Sequence, residues 1–231
     1  MIGTISPGRR ISTAALPEIG PRLIRMADRR RIGIDLDNTL INYDAVFRAF
    51  AEERGLLDSD KATSKAAIRE ALRALPEGDL VWQRLQGAVY GKGVRRAVLF
   101  DGAAVFLQRA RERGCEVFIV SHKTEFGHFD PDRVNLRDAA MDWMKGQGFF
   151  REDGFGIPNG NVLFAATRSD KIAAIAELDV EVFIDDLPEV LEDKGFPATV
   201  VGLLFTAGEV VPSAYPRAFA HWRDITRTVF G

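Results

Sequence analysis

The stretch Arg31-Ile32-Gly33-Ile34-Asp35-Leu36-Asp37-Asn38-Thr39-Leu40 constrains this chain more than any other. A short apolar run ends abruptly in two carboxylates and a hydroxyl. Ile32 and Ile34 have the period of a buried strand, and Gly33 between them allows another element to approach the backbone closely. Side chains alternate along extended chain, so Asp35 and Asp37 project to one side and Leu36 to the other. Acids crowded together where a strand leaves a sheet repel one another, and the arrangement calls for a cation. Open α/β sheets bind ligands at the carboxyl ends of their strands, which is where this motif falls.

The rest of the chain supplies such a sheet. Helical spacing runs over Asp44–Leu57, Lys61–Leu75 (ending before Pro76) and Asp79–Tyr90, and the turn Gly91-Lys92-Gly93 follows. Residues 44–96 therefore read as a helical unit inserted between two strands. Alternation then returns. A helix is predicted over Ala103–Arg113 with Gly114 as its stop, then a strand over Glu116–Val120 ending in Ser121, a polar loop to Asp130 and a helix over Asp132–Lys145. Beyond a Gly-rich stretch come a strand at Val162–Phe164, a helix opening at Ser169-Asp170-Lys171 with Ser169 as its cap, and a strand over Val180–Ile184 ending in Asp185-Asp186. A last strand over Thr199–Phe205 and a helix over Tyr215–Val229 complete the pattern. The fold class is α/β, a mostly parallel, doubly wound Rossmann-like sheet with helices on both faces. Residues 31–43 and 97–231 form its core, 44–96 the insertion and 1–30 a loosely ordered extension.

Composition narrows the function. The 231 residues are 46% apolar, enough for a sizeable core, and the net charge of -2 gives no global field to recruit nucleic acid or a membrane surface. Cys115 is the only cysteine, which excludes an internal disulfide and a Cys-rich zinc site. No two His stand at zinc-type spacing around acids, and no glycine-rich loop ends in Lys-Ser/Thr as a Walker nucleotide site requires. No apolar stretch is long enough to span a bilayer. The first 30 residues are Arg-rich but interrupted by Pro7, Pro17 and Pro21, and lack the apolar run of a secretory signal. The expected compartment is the cytoplasm, with Met26 a candidate natural start.

Topology gathers Asp35, Asp37 and Thr39, Ser121, and Asp185 with Asp186 on one sheet edge, and Lys171 opens a helix near the same rim. Acids for a divalent cation, a hydroxyl and an ammonium together suit a transferring phosphoryl group, whose charge must be neutralised and whose nucleophile must be aligned. The set resembles the haloacid dehalogenase superfamily of aspartyl-nucleophile hydrolases. Asp35-x-Asp37-x-Thr39 is similar to its first motif, Ser121 after Val117–Val120 to its second, Lys171 to its third and Asp185-Asp186 to its fourth.

That resemblance implies a strand order of 5-4-1-2-3 and a role for each matched residue. Asp35 would attack phosphorus and form an aspartyl phosphate. Asp37 would protonate the departing oxygen and later take a proton from water; an acid at this position also argues against dehalogenation. Thr39 would brace the loop, Ser121 would donate to a phosphoryl oxygen, and Lys171 would balance the charge. Mg²⁺ would be held by Asp35, the backbone carbonyl of Asp37, and Asp185, with Asp186 in contact directly or through water; Asp185 is favoured as the closer because it comes first off the strand. The inserted unit falls where the family carries a helical cap of the first type. Trp82, Gln83, Gln86, Tyr90 and Lys92 are its candidate substrate-facing residues, and His122, Lys123 and His128 are candidate binders after Ser121, with Arg168 a further basic neighbour.

The expected activity is a Mg²⁺-dependent phosphomonoester hydrolase acting on a small phosphorylated metabolite, a sugar phosphate or a nucleotide. Alternatives are a non-hydrolytic phosphate-binding or regulatory protein on the same fold, and a phosphotransferase. Taken singly, the Asp185-Asp186 doublet, Ser121 and Lys171 are ordinary turn, cap or surface residues. Only their registration with the strands raises them above that reading.

Overall fold

The computed structural model describes residues 30–57, 64–127, 132–208 and 215–231. The expectations for residues 1–29, for the start of the helix at Lys61 and for His128 lie outside them. In chain order the elements are β1 (Arg31–Ile34), β2 (Ile41–Asn42), α1 (Asp44–Glu53), α2 (Lys65–Arg73), α3 (Gly78–Tyr90), a 3₁₀ turn at Lys92–Arg96 and β3 (Val98–Leu99). There follow α4 (Ala103–Glu112), β4 (Glu116–His122), α5 (Leu136–Gly146), a 3₁₀ turn at Asn159–Asn161, β5 (Val162–Ala165) and α6 (Arg168–Glu177). The chain closes with β6 (Val182–Asp185), α7 (Pro188–Leu191), β7 (Val201–Phe205), β8 (Ala218–Phe219) and α8 (Trp222–Phe230).

One parallel sheet runs in the order β5-β4-β1-β6-β7-β8. Counting only its five major strands by their place in the chain, this is the expected 5-4-1-2-3 order, with β8 added at the edge. β1 lies at the centre, with Ile34 beside Ile119 on one side and Ile184 on the other. Period-two alternation divides the apolar residues between the faces. Ile32, Ile34, Val117, Ile119, Val182 and Ile184 enter one core cluster, while Phe118, Val120 and Phe183 enter a second cluster with Ile172 and Ile175 of α6. Both faces are covered, as a sheet of parallel strands requires.

Between β2 and β3, which pair antiparallel as a two-stranded ribbon, the described chain is helical. Phe47 of α1 stacks on Trp82 of α3 with ring centres 5.1 Å apart, and Tyr90 meets Phe47 edge-on at 5.7 Å. Ile68 and Leu72 of α2 are buried in the same cluster as the sheet's first face, so the insertion is packed continuously with the core.

Several boundaries differ from expectation for local reasons. Ser121 lies inside β4, because the ladder with β5 extends through His122. The helix expected from Asp132 starts at Leu136, where Asn135 accepts hydrogen bonds from the N–H groups of Arg137 and Asp138. Ser169 is not the cap of α6; Thr167 is, in a reciprocal capping box with Asp170. The terminal helix begins at Trp222 rather than Tyr215, since Ala218 and Phe219 pair with β7 instead. That late start places the indole of Trp222 against Phe106 and Phe205, where its Nε1 donates to the carbonyl of Thr39 at 3.0 Å. The short ribbon, β8 and α7 carry too few residues to show a period, and the sequence reading lacks them.

Gly33 is required by space. A Cβ there would lie 2.5 Å from Cδ2 of the buried Phe183 ring. Gly33→Ala should therefore destabilise the fold by about 1–3 kcal/mol, read as a lower urea midpoint with an unchanged slope.

Candidate active site

The motif after β1 is shaped by backbone hydrogen bonds. The N–H of Asp35 extends the ladder to the carbonyl of Ile184 at 2.8 Å, which sets Asp35 beside Asp185. The chain then folds back: Leu40 and Ile41 donate to the carbonyl of Leu36 at 3.0 and 2.9 Å, and Asn38 donates to Ile41 at 3.0 Å. Asn38 has φ +62°, a left-handed conformation that Asn tolerates better than most residues. Asp37 thus leaves on a turn rather than on extended chain, and the two acids end up in different surroundings.

Asp35 and Asp185 share one ammonium. Nζ of Lys171 lies 2.6 Å from Oδ1 of Asp35 and 2.6 Å from Oδ2 of Asp185. Lys171 is 1% exposed and Asp185 0%. Lys171 gets there because Thr167 starts α6 immediately after β5, leaving the lysine at the end of the first turn beside the strand tips. The other oxygen of Asp185 accepts the backbone N–H of Leu187 at 3.0 Å. Burial pushes the Asp35 carboxyl up to about 7; Lys171 opposes this, and Asp185 and Asp37 add to it. For Lys171 burial works against the charge, but Asp35 and Asp185 outweigh it and hold the ammonium firmly protonated.

Asp37 has its own set of donors. Oδ1 accepts from the hydroxyl of Tyr43 at 2.7 Å, and Nζ of Lys123 lies 3.0 Å from Oδ1 and 2.7 Å from Oδ2. Ser121 Oγ stands 3.5 Å from Oδ2. Burial alone would raise this carboxyl, but the Lys123 charge and hydrogen bond, then Tyr43 and Lys65, hold it below the usual carboxylate range. Tyr43 is pushed the other way, by burial first and by Asp37 second. The cations that the crowded acids call for are thus in part built into the chain.

Asp186 completes the acids. It hydrogen-bonds the Thr39 hydroxyl at a long 3.4 Å and is raised well above an ordinary aspartate by burial, then by Asp35 and Asp185. One oxygen from each of Asp35, Asp185 and Asp186 lies within 4.8 Å of the others. An all-carboxylate oxygen set of this kind suits a hard divalent cation such as Mg²⁺.

A cavity of about 410 Å³ opens over Asp35, Asp37, Lys171 and Asp186, and Gln83, Gln86 and Tyr90 of α3 reach it from the helical insertion. His122 and Lys123 line it too, His122 exposed and hydrogen-bonded to the carbonyl of Ala166 at 3.1 Å. Trp82 and Lys92 do not join it. Trp82 is buried against Phe47, and Lys92 forms an ion pair with Asp132 at 2.7 Å. Arg168 is drawn away by Asp193 at 3.8 Å. Phe149, Phe150 and Phe155 pack on one another as expected.

The sequence reading missed two residues here, Tyr43 and Lys65. Lys123, expected as a substrate binder, does line the cavity, and its ion pair with Asp37 adds a contact that the sequence reading lacks, although its face was readable two residues beyond Ser121. Tyr43 carried no signal, because it reaches Asp37 only through the turn. Lys65 of α2 lines the cavity as well, and nothing in its helix sets it apart from a solvated lysine.

No protein-family model matches the chain, and no curated protein matches it in sequence. In structure it is similar to a haloacid dehalogenase-superfamily hydrolase of subfamily IA from Geobacter sulfurreducens (TM-score 0.51, 17% identity, covering 88% of this chain and 97% of that one). It is similar also to a protein described as a predicted phosphoglycolate phosphatase from Haemophilus somnus (TM-score 0.53, 14% identity, 89% and 100% covered). Protein Tyrosine Kinase A of Mycobacterium tuberculosis matches as well (TM-score 0.54, 17% identity, 88% and 99% covered). The chain has the α/β fold of the haloacid dehalogenase-superfamily hydrolases.

Lys171→Met would leave buried carboxylates without their ammonium, at a cost of about 3–5 kcal/mol at pH 8. With its folded-state proton affinity raised further above that of the unfolded chain, Asp35 takes up a proton as the pH falls, and the strain is relieved. The gap in urea stability between variant and parent should therefore narrow from pH 8 to pH 5.

Proposed function

We propose that this protein is a Mg²⁺-dependent phosphomonoester hydrolase acting through an aspartyl phosphate on Asp35, with residues 44–96 as a cap over the site. The observation that carries the proposal is the sharing of Lys171 between Asp35 and Asp185 beneath a cavity that also receives Asp37. A carboxylate nucleophile, a fixed cation and a second acid then stand where one phosphoryl group would meet all three. The likeness to hydrolases of the same fold supports the reading. The fold is also that of a protein named as a kinase, so the direction of transfer is argued from the site alone.

In the first step an Asp35 oxygen forms a bond to phosphorus and the ester P–O bond breaks, the departing oxygen taking a proton from Asp37. In the second, water attacks the phosphorus of the aspartyl phosphate, Asp37 takes its proton, and phosphate leaves with Asp35 restored. Lys123 and Tyr43 hold Asp37 as a carboxylate when the site is at rest, the form that accepts the water's proton. An arriving phosphoryl dianion favours the protonated form through like charge, which readies Asp37 to donate. Lys171 balances the nucleophile and the phosphoryl oxygens. Ser121 donates its one O–H to Asp37 only over a long 3.5 Å, and would turn it to one of those oxygens when a phosphoryl group is bound.

Mg²⁺ would be held by Asp35, Asp185 and Asp186, which each offer one oxygen to a common point. Oδ2 of Asp185 is buried with no hydrogen-bond partner, although Lys171 Nζ lies 2.6 Å away, and an ion would satisfy it, in keeping with the preference for Asp185 drawn from sequence. Asp37 has its carboxylate engaged, so its share falls to the backbone carbonyl. When bound, the ion supplies positive charge to the phosphoryl oxygens. Water exclusion is assigned to the α3 residues Gln83, Gln86 and Tyr90.

Purified protein should release phosphate from an aryl phosphate in Mg²⁺ and stop on adding a chelator, and Asp35→Asn should abolish turnover; full activity in that variant would refute the assigned nucleophile. Lys123→Met should lower kcat on the order of 10²-fold with a smaller change in KM, since it positions Asp37 without binding the ester. Protons compete with the cation at Asp35, whose carboxyl is held at about 7. Mg²⁺ affinity measured by calorimetry should therefore fall steadily from pH 8 to pH 6.

A further inference from the structure

A second, larger cavity of about 720 Å³ adjoins the first, and the two share Asn38, Lys65, Asp186 and Leu187 as a collar. Its volume is in the range of small-molecule pockets. One wall is α2, which presents Lys65 and Arg69 to it. Four residues apart, they stand one above the other on a single helix face. Arg73, Lys92 and Arg96 of the helical insertion meet Asp79, Asp132 and Glu53. Lys65 and Arg69, like Arg48, Arg54, Arg84 and Arg95, form no ion pair among the described residues, but only Lys65 and Arg69 of these line the cavity. The half-buried ammonium of Lys65 lies instead 5.8 Å from the ring centre of Phe47 and 5.7 Å from that of Tyr90.

Acids on the other walls limit what fits. Asp44 lines the cavity, but its Oδ1 accepts the backbone N–H of Lys65 at 3.1 Å, at the start of α2, where the helix dipole offsets its charge. Glu189 stands exposed on the far side, near Thr206. Asp186 faces Lys65 at the collar, within the acid set of the inner site, so Arg69 is the cation least offset by the chain's own acids. A wall with Lys65 and Arg69, opposed further out by Glu189 and Thr206, suits a ligand that is anionic at one end and rich in hydroxyls elsewhere. The planar fork of Arg69 matches a carboxylate in particular.

We infer that this second cavity receives the substrate's leaving group and that Lys65 and Arg69 recognise a carboxylate on it, so that the preferred substrates are phosphorylated hydroxy acids. The inference rests on the hydrolase reading of the inner cavity, which holds the phosphoryl end. Lys65 stands at the collar where the two ends of the substrate meet, and Arg69 one turn further out. Glu189 and Thr206 accept and donate hydrogen bonds to hydroxyls along the carbon chain.

The test is calorimetric, on the Asp35→Asn protein in Mg²⁺. The probes are 6-phosphogluconate and glucitol 6-phosphate, which differ only in a carboxylate against a hydroxymethyl at the far end. The acid should bind about five- to tenfold tighter, and the ratio should fall to near one when Arg69→Gln or Lys65→Gln is added. Arg69 is exposed, so its removal leaves the fold intact, and comparing two ligands on each variant cancels any general loss. Equal affinities, binding of neither probe, or a preference that survives both substitutions would overturn the inference. Turnover of an aryl phosphate by the unsubstituted protein is read separately. Its absence refutes the hydrolase reading while the affinity ratio is still measured; its presence with a ratio of one refutes only the carboxylate subsite.

Discussion

One ammonium shared by two carboxylates in the dry interior holds the site together. Asp35 and Asp185 are brought side by side by the β1–β6 register, and without Lys171 between them their charges would oppose the same pairing that the apolar residues favour. The lysine comes from α6, whose first turn is fixed by the Thr167–Asp170 capping box. Three separate segments, joined by strand register and one helix cap, must therefore all be in place before the acids can sit where they do. Repulsion is balanced by geometry, and the geometry is set by ordinary secondary-structure signals.

Asp37 lives under a different regime, although it is only two residues away. The turn at Asn38 takes it off the strand and delivers it to Lys123 and Tyr43, which keep it ionised, whereas burial drives Asp35 toward its protonated form. Two neighbouring aspartates are thereby given opposite proton affinities. Groups whose surroundings push them apart in this way divide acid–base labour readily, and the division here follows from one left-handed residue.

Much of this was legible in the sequence, and what was not has physical causes. The parallel sheet, the helical insertion and the gathering of Asp35, Ser121, Lys171 and Asp185-Asp186 followed from alternation and from motif spacing, whereas the strand order followed only from the resemblance to the haloacid dehalogenase superfamily. The caps of α5 and α6 were misplaced because Asn135 and Thr167 precede weak, mixed segments in which several residues could start a helix. β8 and the β2–β3 ribbon are two residues long, too short for any period to register. Trp82 and Lys92 were chosen for chemistry that packing and Asp132 claim instead, while the pairing of Lys123 with Asp37 joins two segments 86 residues apart and was not readable from either. Contacts made through turns, such as Tyr43 to Asp37, leave no mark in a linear pattern.

The tie between Trp222 and the carbonyl of Thr39 has a consequence in time. The loop carrying Asp37 lies near the start of the described chain, yet the indole that fastens it lies 183 residues later. On the ribosome the early strand and the helical insertion emerge long before α8. The loop from Asp35 to Thr39 therefore waits, without this anchor, until α8 has been made, so its final fastening depends on chain synthesised long after the strand that carries it.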